Sequence, residues 1–172
     1  MTMFKNKYRV ESTRLKDHDY SERGDYYVTI CMKPRMPFFG DVVDGKMVLN
    51  KQGTIAEEQW KKLEKDFPNI KLDDFIIMPD HIHGIIQIRK QTDKTLSNIV
   101  QVFKSKTAIK INKECDTKCM WQKRFYDRII RDEYQYYFTS EYIKNNPLRY
   151  MPGNEDKEWW ELYEEREKTE EL

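Results

Sequence analysis

The sequence predicts an α+β fold of the ferredoxin-like kind, an antiparallel sheet with helices packed on one face, plus one additional helix. Three observations carry this. Four segments have the β-branched and aromatic content of strands, and two between them have helical apolar spacing. Their order is strand, helix, strand, strand, helix, strand, with a hairpin inserted early and a further helix at the end. The 172 residues suffice for one such domain with a true core.

Residues 1–23 are basic and without clear periodicity, and read as an arm. Residues 25–32 form an apolar run that reads as a buried strand, ended by Pro34 and Pro37. Asp44-Gly45 between Val42-Val43 and Met47-Val48-Leu49 is a hairpin signal. Thr54 is the expected N-cap of a helix to Phe67, with Glu57 completing a capping box and Pro68-Asn69 stopping it. Strands are expected over 70–78 and 82–89, joined tightly through Pro79-Asp80.

Leu96, Ile99, Val100, Phe103, Ala108 and Ile111 make an apolar stripe on a helix over 95–114. Residues 121–131 read as the last strand and 133–146 as the additional helix, closed by Pro147. Trp159 and Trp160 suggest a short terminal helix or strap. The domain is thus expected over 24–148, with an acidic tail over 149–172.

Charge and cysteine content narrow the function. Twelve Lys or Arg against four acids between Arg89 and Arg131 make the middle basic, whereas residues 151–172 carry nine acids and three bases. A basic middle interleaved with aromatics suits a polyanion, nucleic acid first; the other reading is a solvated helix face balanced by the tail. Cys31, Cys115 and Cys119 are odd in number, which argues against a disulfide framework, and two of them are too few for a zinc site. With no membrane-length apolar run and no signal-peptide core, the expected location is the cytoplasm.

The chemistry centres on His81 and His83. On a strand they share one face on adjacent pleats, where two neutral imidazoles can form half of a divalent-metal site; the other reading is two half-exposed polar residues on a strand. Tyr142 and Asn146, four apart on the last helix, share a face as well. If that face meets the histidines, Asn146 can add an oxygen ligand and Tyr142 a nucleophile beside the metal, where a phosphodiester would be polarised. A partly oxygen shell and phosphoryl chemistry favour Mg²⁺ or Mn²⁺ over zinc.

Taken together, these stretches resemble the REP-associated tyrosine transposases of the single-tyrosine HUH superfamily. The likeness rests on Tyr26-Tyr27-Val28-Thr29-Ile30-Cys31, Phe39-Gly40, Met78-Pro79-Asp80-His81-Ile82-His83-Gly84, Phe103-Lys104-Ser105, Trp121-Gln122-Lys123-Arg124-Phe125-Tyr126-Asp127 and Tyr142-Ile143-Lys144-Asn145-Asn146-Pro147. It implies metal-dependent cleavage and strand transfer of single-stranded DNA at hairpin-associated palindromes, through a 5′-phosphotyrosine on Tyr142. It also implies His81, His83 and Asn146 as metal ligands. Asp80 stands where relatives frequently have Asn. Lys104, Lys106, Arg124 and Arg131 are candidate phosphate contacts, Arg14 and Lys16 candidate guides in the arm, and Trp121 a candidate stacking platform. The competing readings are a hairpin-DNA-binding protein that no longer cleaves and a hydrolase of small phosphoesters; steep salt dependence would exclude the latter.

Overall fold

The computed structural model describes residues 17–150 and, as backbone, two short paired strands, β1 (Thr2–Phe4) and β2 (Lys7–Arg9). Arg14, Lys16 and the Trp159-Trp160 segment lie outside the described residues. The main sheet contains β3 (Gly24–Cys31), β6 (Ile70–Ile77), β7 (His81–Ile88) and β8 (Tyr126–Ile130). Their order is β6-β7-β3-β8, every pair antiparallel, which is the expected ferredoxin-like arrangement.

Strand alternation sorts the apolar residues between two faces. Tyr26, Val28 and Ile30 of β3 and Ile82, Ile86 and Ile88 of β7 are buried in one cluster with Trp60, Leu96, Ile99 and Phe103. These last come from α1 (Lys51–Lys61) and α3 (Leu96–Glu114), so both helices cover the same face. Full burial of one such side chain stabilises the fold by about 1.5–3 kcal/mol. Gly84 is needed there: a Cβ would stand 2.3 Å from Trp60 Cζ2, so the indole packs directly on the β7 backbone. The opposite face has a much smaller cluster, Ile85 and Ile130 with Ile143 of α4 (Glu133–Asn145).

Three boundaries differ from expectation. Helix α1 starts after Asn50, not Thr54; the Asn50 side chain accepts from Gly53 N at 2.9 Å and donates to the Phe38 carbonyl, tying the helix to the preceding loop. Glu57 instead pairs with Lys61 at 3.0 Å, and the helix breaks at Lys62 before the short α2 (Leu63–Asp66). The last strand begins at Tyr126 rather than 121, because Lys104 Nζ takes the carbonyls of Gln122 and Arg124 and draws that segment off the ladder, leaving Trp121 with one isolated bridge to Met32. Finally, α4 ends at Asn145 with Asn146 as its C-cap, before Pro147 as expected, but the chain runs on as a 3-10 turn over Asn146–Tyr150.

The other signals hold. β4 (Gly40–Val43) and β5 (Lys46–Leu49) pair around Asp44 and Gly45, both at positive φ as a two-residue hairpin turn requires. Thr95 caps α3 in a reciprocal box with Asn98, and Asp132 caps α4 through Gln135 N at 2.7 Å. All three cysteines are free.

Candidate active site

Strand β7 is buried at all eight positions, so its polar side chains must find partners inside the protein. His81 and His83 project on the α4 side of the sheet, opposite Cys31 and Thr29 of β3. Their Nε2 atoms face each other at 2.9 Å, with the rings inclined by 77°.

The far edge of each ring is held. His81 Nδ1 lies 2.6 Å from Asp80 Oδ1, and since a carboxylate only accepts, Nδ1 carries a proton. Asp80 also accepts from Arg35 Nε at 2.5 Å and from the Tyr150 hydroxyl at 3.0 Å. Burial alone would raise the Asp80 pKa; the bonds from His81 and Arg35 override it and hold the carboxyl well below the usual range. His83 Nδ1 meets the hydroxyls of Tyr27 at 2.7 Å and Thr29 at 2.9 Å, which can serve either tautomer. Burial, with the neighbouring His81 and Arg35, pushes the His83 pKa well below 6.5 and keeps the ring neutral.

Helix α4 brings Tyr142 to this pair. Its ring lies edge-on to His83 at 5.3 Å and to Tyr27 at 6.3 Å between centroids. Asn146, buried at the end of the helix, lines the same cleft of about 620 Å³ as His81, His83 and Tyr142. The two histidines and the tyrosine–asparagine pair, more than fifty residues apart in sequence, thus share one site.

The donor set suits a divalent cation. Two nitrogens bound at right angles about 2.1 Å from an ion would be about 3.0 Å apart, close to the 2.9 Å observed. Among the described residues no group of three or more His, Cys, Asp or Glu could hold a metal.

Six cleft residues were given no role by the sequence reading: Tyr27 and Thr29, which meet His83, and four others. Arg149 lies three positions beyond Asn146 on the 3-10 turn, its guanidinium carbon 5.9 Å from the Tyr142 ring centroid. Taking Pro147 as a terminator hid it. Tyr126 of β8, opposite Thr29, lines the cleft with an exposed ring, and Tyr150 and Arg35 reach it through Asp80. No spacing in the sequence marks Arg35.

Several cations proposed for DNA have protein partners instead. Lys104 is the strut already described, its pKa lowered by burial, and Lys106 pairs with Asp66 at 2.6 Å. Trp121 donates Nε1 to the Lys104 carbonyl and packs against Phe39 and Phe103. Arg124 and Arg131 are exposed.

The sequence profile of the family described as "Transposase IS200 like" matches residues 21–146. The chain belongs to that family. The match spans the whole sheet and ends on Asn146, the last of the four residues gathered in the cleft. Among curated proteins, this IS200-like transposase is 34% identical to an uncharacterized protein of Haemophilus influenzae, over 80% of this chain and 87% of that one. It is 22% identical to the REP-associated tyrosine transposase of Escherichia coli K12, over 81% and 76%. In fold it resembles a REP-associated tyrosine transposase solved bound to a REP hairpin, with a TM-score of 0.60 and 20% identity over 84% of this chain and 76% of that one. The family match and the Escherichia coli relative bear out the resemblance read from the motifs, and the solved structure bears out the fold. Among the described residues no helix is long and apolar enough to cross a membrane.

Proposed function

We propose that this IS200-like transposase cleaves single-stranded DNA beside a hairpin and transfers the cut strand, with Tyr142 as nucleophile. The observation that carries the reading is the phenol ring of Tyr142 edge-on to His83 in the cleft where both histidine Nε2 atoms converge. A protein of the same fold has been solved bound to a REP hairpin, which supports a hairpin as the DNA partner.

In the first step the Tyr142 oxygen attacks the scissile phosphorus. The new oxygen–phosphorus bond forms as the bond to the 3′-oxygen breaks. The phenol gives its proton to water and the departing 3′-oxygen takes one up, leaving a 5′-phosphotyrosine. Attack by another 3′-hydroxyl reverses these changes and joins a new strand. No phosphodiester energy is lost, so cutting and joining need no other energy source.

His81, His83 and Asn146 would hold Mg²⁺ or Mn²⁺, which when bound polarises the phosphodiester as a Lewis acid. With His81 and His83 each carrying its proton on Nδ1, both Nε2 lone pairs would be available for it. Arg149, the cation beside the Tyr142 ring, meets the charge of the incoming phosphate. Arg124 and Arg131 extend the phosphate path along the outside of β8.

The test is incubation with a single-stranded hairpin substrate and Mg²⁺ or Mn²⁺, read by denaturing gel and peptide mass spectrometry. A metal-dependent DNA adduct on Tyr142, absent in Tyr142→Phe although that variant still binds the hairpin, is the expected result. Tight hairpin binding with no adduct under either metal would instead make the chain a non-cleaving DNA-binding protein.

A further inference from the structure

We infer that Asp73 and Asp74 are positioning residues that seat α4 and so fix where Tyr142 stands against His83. Leu72 pairs with Ile86 and Phe75 with Gly84, so two residues of β6 oppose the single Ile85 of β7. This is a β-bulge. Without it Leu72 and Phe75 would lie on opposite faces of the sheet. With it both pack on the α1–α3 side, and both aspartates are free to turn toward α4.

Each aspartate meets α4. The Tyr136 hydroxyl donates to Asp73, the Ser140 hydroxyl donates to Asp74, and Lys144 Nζ lies 3.4 Å from Asp74. Tyr136, Ser140 and Lys144 are spaced by four, one stripe along the helix. Burial and the adjacent Asp73 push the Tyr136 phenol far up, so it is a neutral donor.

The apolar seat of α4 is small, with only Ile143 buried against Ile85 and Ile130, whereas α1 and α3 share a large core. Apolar contact of that size does not specify axial position well. Hydrogen bonds to carboxylates are directional and about twice as strong as neutral ones. A slip of one residue would move α4 by about 1.5 Å and rotate it by about 100°, carrying Tyr142 off His83. The carboxylates therefore act through the helix and touch no substrate themselves.

The test uses the full chain with Tyr136→Phe and Ser140→Ala, which remove two hydroxyls and leave the aspartates in place; either single change serves if the double variant does not fold. Amide hydrogen exchange over residues 133–145 should accelerate about tenfold or more, while β3 and β7 keep their protection. The catalytic half of the inference rests on the nickase reading. There the rate of adduct formation on Tyr142 should fall about tenfold or more, with hairpin affinity changed less than about twofold. Unchanged exchange in α4 would overturn the inference, as would faster exchange with full-rate adduct formation. If the unaltered protein forms no adduct while exchange in the variant still accelerates, the nickase reading fails and the seating of α4 by the two aspartates stands.

Discussion

Replacing Asp80 with alanine probes the histidine pair without touching a proposed ligand. The carboxylate meets three donors, His81 Nδ1 at 2.6 Å, Arg35 Nε at 2.5 Å and the Tyr150 hydroxyl at 3.0 Å. Its removal leaves His81 Nδ1 with only Tyr150 and Arg35, each at 3.4 Å, and frees the ring to carry its proton on Nε2 instead. Partners behind a ligating histidine are worth about 10–100-fold in metal affinity, or about 1.4–2.8 kcal/mol at tenfold per 1.4 kcal/mol. Titration calorimetry with Mn²⁺ should show a loss of that size in Asp80→Ala. Asp80→Asn should lose less, because its amide oxygen can still accept from Nδ1. Circular dichroism establishes that each variant is folded. Equal Mn²⁺ affinity in folded Asp80→Ala and the parent would refute the claim that this carboxylate sets the tautomer of a metal-binding histidine.

Other predictions follow from neighbouring contacts. In chelator, stability should fall as the pH drops below about 6.5, because the unfolded chain takes up a proton on residue 83 that the fold resists; His83→Gln should flatten that slope in urea midpoints, and parallel curves would count against it. Asp80 acts at lower pH: its depressed pKa adds stability that is present above the ordinary carboxyl value of 3.8 and is lost as the pH falls below it. Gly84→Ala should cost about 1–3 kcal/mol or more through overpacking on Trp60, seen as a lowered melting temperature; an unchanged one would mean the indole yields freely. Lys104→Ala should lower stability by about 1–3 kcal/mol through its two lost carbonyl bonds, while the salt slope of hairpin binding stays the same; a shallower slope would return this lysine to the DNA path.

The site was legible in the sequence where it depends on period. Strand alternation gave His81 and His83 one face and helical spacing gave Tyr142 and Asn146 another; that the two faces meet is seen only in the structure. What escaped depends on partners that spacing does not encode. The charge of Lys104 and Lys106 suggested DNA, but a lysine bonded to a carbonyl and one facing a phosphate read alike in sequence. Asp80 was visible as an acid beside the histidines, yet its place behind His81 follows from Arg35 and Tyr150, which close on it from distant parts of the chain. Asp73 and Asp74 look like two exposed residues in an irregular strand. Only the two-against-one register turns both toward α4.

That register has a consequence for how the protein behaves among its own copies. β6 is an outer strand of the sheet, and a regular outer strand offers its backbone to any passing strand as a template. Here the row is broken in the middle by an unmatched residue, and a bulge of this kind disfavours continued pairing along that edge.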